Sequence, residues 1–179
     1  MRPGLFGPCL SMLLILSVLP SCAPQEPVPA ETPEKPVLRT GADQFFDEPY
    51  YSSWFKGKGI GLVTNQTGVN SGLKNLPDLL GGSDEIRLVA LFGPEHGLYG
   101  EAEAGDDVAE RPNIYNLYGE HQAPTPEMLE GVEVLVYDIQ DVGTRFYTYL
   151  TTMCYVMEAC AENGKPFIVL DRPNPNGYY

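Results

Sequence analysis

"VEVLVYDIQDVGTRFYTYLTTMCYVMEACAENGKPFIVLDR", Val132 to Arg172, holds two apolar runs of strand length with a helical segment between them. The runs, Val132 to Ile139 and Pro166 to Arg172, are nearly continuous in apolar residues, as strands buried on both faces are. The intervening segment reads as a long helix stopped at Gly164. Upstream, "GIGLVTN" (Gly59 to Asn65) and "IRLVALF" (Ile86 to Phe92) repeat the strand pattern, with helical "SGLKNLPDLLGG" between them and "TPEMLEG" as a further helix ahead of Val132. This succession predicts an α/β chain: a Rossmann-like layer fold, its mostly parallel sheet flanked by helices. No G-x-G-x-x-G follows the first strand, so a dinucleotide is not indicated, and no cofactor is expected.

The chain has 179 residues, and its first 21 read as an export signal: Arg2, an apolar core from Leu10 to Leu19, then Pro20 and Ser21. That core is too short for a permanent membrane span. "LPSC" resembles the bacterial lipobox, which makes Cys22 the expected lipidation site and the membrane a partner through that anchor, in the cell envelope. Residues 22–42, rich in Pro and Glu, read as a tether, and residues 43–179 as the folded catalytic domain. Net charge is −13, and −14 once Arg2 is removed, which argues against nucleic acid as a partner. Cys154 and Cys160 sit six apart on the expected helix, too far for a disulfide, and read as buried thiols.

In such a sheet, ligands sit beyond the carboxyl ends of the strands. There the first strand supplies Asn65 and Gln66, and the second supplies Glu95 and His96 from "GPEHG". The third brings Asp138, Gln140, Asp141, Arg145 and Tyr147, and the fourth brings Asp171, Arg172 and Asn174. Carboxylates, amides, arginines and tyrosines gathered on one rim suit a saccharide. Each has a plainer reading. Asp138 and Asp171 could cap helices or pair with Arg145 and Arg172, Thr67 and Gly68 could shape a turn, and Tyr147 and Tyr149 could pack as a helix face. His96 could orient Glu95, while His121 lies in a polar loop.

The motifs "GLVTNQTGV", "LFGPEHGLYGEAEAGDDV", "IYNLYGEHQAPTPEML", "VLVYDIQDVGTRFYTYLTTM" and "FIVLDRPNPNG" together resemble the bacterial exo-β-N-acetylmuramidases of the NamZ type, from about Gly59 to Gly177. The resemblance implies a Rossmann-like N-terminal domain carrying most of the cleft and a smaller C-terminal domain. It also implies removal of N-acetylmuramic acid from the non-reducing end of peptidoglycan-derived muramyl saccharides, with Glu95 as the catalytic carboxyl. Members of that family continue for about as many residues again, so the chain reads as the N-terminal domain, truncated after "NPNGYY".

Glycoside hydrolysis needs a carboxylic acid to protonate the leaving oxygen and usually a second carboxylate. Glu95, at the mouth of a buried strand beside Phe92, Leu98 and Tyr99, suits the first role, and Asp138 or Asp141 the second. The lactyl carboxylate of muramic acid calls for a cation, Arg145 or Arg172. Two alternatives stand beside this reading: a non-catalytic, surface-anchored wall-binding lipoprotein or an inactive fragment, and a metal-dependent hydrolase using His96 with Asp106 or Asp107. Two histidines in separate loops make a poor metal set, so no metal is expected.

Overall fold

The computed structural model describes residues 38–98 and 112–177. Nine elements follow in chain order: α1 (Gly41–Asp47), α2 (Pro49–Ser52), β1 (Gly59–Thr64), α3 (Leu76–Gly81), β2 (Arg87–Gly93), β3 (Asn113–Asn116), β4 (Val134–Asp138), α4 (Tyr149–Glu162) and β5 (Phe167–Val169). The five strands form one sheet in the order β3-β2-β1-β4-β5, and every neighbouring pair is parallel. The expected Rossmann-like α/β fold is therefore present.

Both faces of the sheet are covered, which explains the unbroken apolar runs. On one face Ile60, Leu62, Val134 and Val136 pack with Ala42 and Phe45 of α1 and Leu76 and Leu80 of α3. On the other, Val63, Leu135 and Tyr137 pack with Val156 and Cys160 of α4. The connection β1 to β2 thus lies on one face and β4 to β5 on the other, so the winding reverses between β1 and β4.

Local signals account for the helix ends. Asn75 caps α3 through its side chain, 2.8 Å from the Asp78 amide, with Pro77 in the first turn. α4 stops where expected. Gly164 takes φ 62°, and the amides of Gly164 and Lys165 return to the carbonyls of Ala161 and Cys160, closing the last turn.

Four sequence readings are corrected. "TPEMLEG" forms turns, not a helix: Leu129, buried at 1% exposure, closes one turn onto Thr125 before Gly131 reverses the chain at φ 75°. β3 is an additional strand, four residues long and mostly exposed, too short and too wet to show a buried-strand pattern. Cys160 is buried, but Cys154 is exposed, because it lies on the outer side of α4. Residues 41 and 42, placed in the tether, open α1, where Ala42 is fully buried. The signal segment, Cys22 and the rest of the tether up to residue 37, together with Tyr99, Asp106 and Asp107, lie outside the described residues.

Candidate functional site

The carboxyl ends of β1 and β4, where the winding reverses, are closed by a hydrogen-bond network. Thr64 Oγ1 donates to the Asp138 carbonyl at 2.8 Å. Asn65 Oδ1 accepts from the Thr67 amide at 2.9 Å and from the Thr67 hydroxyl, whose oxygen accepts in turn from the Gln140 amide at 2.9 Å. Gly68 lets this loop lie flat, since a Cβ there would collide with Thr64 Oγ1 and come within 2.9 Å of the Asp138 carbonyl. Arg172 grips Asp138 with two bonds, Nε at 2.6 Å and Nη2 at 2.9 Å, and Nη2 also donates to the Val69 carbonyl at 2.7 Å. Asp138 has no exposed surface and the Arg172 side chain 5%. Burial holds the Asp138 carboxyl above its ordinary value, offset only in part by Arg172.

The open space lies beside this network, at the end of β2. Pro94 to Gly97 form a tight turn closed by the Gly97 amide on the Pro94 carbonyl at 2.8 Å. His96 at φ 73° and Gly97 at φ 72° are both left-handed, a conformation that costs a histidine roughly 1 kcal/mol or more. The turn brings Glu95 and His96 to a cavity of about 300 Å³ whose other walls are Phe146, Tyr147, Thr148 and Tyr149, the approach to α4. Thr148 Oγ1 donates to Glu95 Oε2 at 2.9 Å. The Tyr118 phenol is held above its ordinary value by the Glu95 carboxylate. Phe146 is 85% exposed and Tyr147 48%, so the aromatic wall stands open to solvent.

A model of the N-terminal part of exo-beta-N-acetylmuramidase NamZ matches residues 60–179. The chain belongs to the NamZ N-terminal family. It is 48% identical to the peptidoglycan beta-N-acetylmuramidase NamZ of Bacillus subtilis (strain 168) over 183 aligned residues, covering 99% of this chain and 44% of that protein. Crystal structures of two DUF1343 family proteins from Bacteroides fragilis NCTC 9343 also resemble it. One is 48% identical with a TM-score of 0.69, covering 76% of this chain and 35% of the other. The second is 38% identical with a TM-score of 0.64, covering 79% and 36%. The chain thus spans less than half the length of these NamZ and DUF1343 relatives.

Set on this NamZ-type frame, the rim residues divide by what they touch. Glu95, His96 and Tyr147 line the cavity. Asp138 and Arg172, expected as separate catalytic and substrate-binding groups, are paired with each other inside the protein, as the plainer reading had it. Asn65 and Gln140 serve the network, although Asn65 Nδ2 is buried without an acceptor among the described residues. Gln140 Nε2 donates to the carbonyls of Asp141 and Pro173. Asp141 Oδ1 accepts from the Gly143 amide, and Asn174 Oδ1 accepts from the Asn176 amide at 2.9 Å, so both shape loops. Gln66 and Arg145 are exposed, and among the described residues Arg145 has no ion pair. Thr148 and Phe146 are site residues that sequence reasoning missed. They sit within a quoted motif and carried no charge to mark them.

Proposed function

We propose that this chain forms the catalytic face of a glycoside hydrolase that removes β-linked N-acetylmuramic acid from the non-reducing end of peptidoglycan fragments. The observation that carries this reading is Glu95, held by Thr148 in a cavity walled by Phe146 and Tyr147. The named activity of the B. subtilis relative supports the same chemistry. In this reading the Glu95 carboxyl gives its proton to the glycosidic oxygen as the bond to the anomeric carbon breaks. The open rings of Phe146 and Tyr147 suit the apolar face of a sugar. Arg145 takes the lactyl carboxylate through a bidentate fork, Arg172 being engaged by Asp138. Asp141, or the substrate's own acetamido group, supplies the second function that the reaction requires.

The test is turnover of β-N-acetylmuramides by wild type and Glu95→Gln. The variant is expected to lose on the order of a hundredfold or more, since a positioned acid contributes about 10² to 10⁴. The loss should be smaller with an activated phenol as leaving group than with a natural disaccharide. Near-normal turnover with an unchanged thermal midpoint would remove Glu95 from the chemistry. Saccharide binding by wild type without turnover would point to a wall-binding protein instead.

We further infer that Cys22 is lipidated and holds the domain at a membrane face of the cell envelope, on the strength of the "LPSC" sequence. Cys22→Ala should then appear in the soluble fraction or as an unprocessed precursor. A processed variant still sedimenting with membranes would overturn the anchor.

A further inference from the structure

Glu95 stands two residues beyond the end of β2, on a turn, with no regular element to hold its side chain. A carboxylate there samples several rotamers unless something fixes it. One hydroxyl from another connection reaches it. Thr148 belongs to the N-cap position of α4, where a threonine usually turns its side chain onto the first amides of its own helix. Here that hydroxyl makes no cap bond. The Thr148 carbonyl receives the Thr152 amide at 2.9 Å and starts the helix, while Oγ1 donates its one proton to Glu95 Oε2 at 2.9 Å. Tyr118 comes from the loop after β3, and the same carboxylate raises its phenol above the ordinary value.

We propose that Thr148 is a positioning residue for Glu95, its hydroxyl setting the carboxylate against the wall of the cavity. The inference rests on the reading of Glu95 as the hydrolytic carboxyl. It adds that the hydroxyl of an uncapped helix start is given over to holding it. Acidic geometry of this kind matters for rate more than for binding, because a displacement near 1 Å at a reacting group can cost about a hundredfold.

Tyr118 reports on the arrangement independently of turnover. With 13C-labelled tyrosine, and the Tyr118 signal assigned by its loss in Tyr118→Phe, the phenol should titrate above the ordinary value of about 10. Glu95→Gln should return it toward that value. Thr148→Val, nearly the same shape without the hydroxyl, should do so as well, because the carboxylate is released, whereas Thr148→Ser should keep the raised midpoint. Thr148→Ala carries the same test should the valine variant not fold. A structural role for Thr148 in α4 would lower thermal stability and leave Tyr118 unmoved. That outcome, or loss of the raised midpoint in Thr148→Ser, overturns the proposal. On a β-N-acetylmuramide, Thr148→Val should lower kcat about tenfold or more while KM changes about twofold or less, with Thr148→Ser near wild type. A wild type that turns over no substrate yet shows the Tyr118 response loses the hydrolase reading and keeps the positioning.

Discussion

Asp138 gives both carboxylate oxygens to one guanidinium, and neither partner has appreciable exposure. Removing either partner strands the other as a buried charge, which costs about 3 to 5 kcal/mol. Arg172→Met should therefore lower the unfolding free energy measured in urea by an amount of that order. A loss under about 1 kcal/mol would show that the pair is not structural and would return Asp138 to the list of reactive groups. Arg145 is the contrasting case, exposed and without an ion pair among the described residues. Arg145→Lys keeps the charge and loses the planar fork, so it should weaken a muramic acid ligand more than an N-acetylglucosamine one, with stability unchanged. Equal losses for both ligands would take Arg145 off the substrate. Both arginines were legible as candidate carboxylate binders. Their separation into a core group and a surface group was not, because Asp138 and Arg172 stand 34 residues apart and meet through the pairing of β4 with β5.

α1 shows what one cap contributes at the scale of an element. Thr40 Oγ1 accepts from the Asp43 amide at 3.3 Å, and Asp43 Oδ2 accepts back from the Thr40 amide at 2.8 Å, a reciprocal capping box. Asp43 Oδ1 also accepts from the Ser71 amide at 2.9 Å, tying α1 to the loop ahead of α3. Burial pushes the Asp43 carboxyl up, but its hydrogen bonds to Ser71 and Thr40 outweigh that and bring it down from 3.8 to about 2. A folded value below the unfolded one stabilises the protein above the unfolded pKa, and the contribution is lost as pH falls from about 4 toward 2. Asp43→Asn should cost about 1 kcal/mol at neutral pH and flatten the fall in stability between about pH 4 and 2, measured by urea unfolding at each pH. An identical acid limb in both proteins would deny Asp43 that role. The capping box lies partly in the stretch "VLRTGADQ". It was hidden because the preceding Pro and Glu residues drew the tether boundary through it at residue 42, while Phe45 and Ala42 become core only by folding back onto the sheet.

Across the whole molecule, protection should follow the order of the sheet. β1 and β4 have a strand on both sides and are buried along their full length, whereas β3 is an edge strand with three of four residues exposed. Amides of Ile60 to Val63 and Val134 to Tyr137 should exchange with solvent slowest, near the global unfolding free energy, and those of Asn113 to Asn116 fastest among the strands. Equal protection in β3 and β1 would mean that the edge is covered in solution.

The sequence by itself determined the layer architecture, because strands buried on both faces must be apolar along their whole length and helices between them must make the strands parallel. It also marked Glu95, since a charged residue between proline and glycine at the end of such a run has no core or helix to serve. Tertiary structure alone decided which rim residues meet. The ends of β1 and β4 are filled by Thr67, Asn65, Gln140 and the Asp138–Arg172 pair, so the open cavity falls instead between the end of β2 and the start of α4. That outcome depends on distances between segments 53 residues apart, as Glu95 and Thr148 are, and on whether a hydroxyl caps its own helix or turns to a neighbouring carboxylate. Either use satisfies the same threonine, and only packing chooses between them.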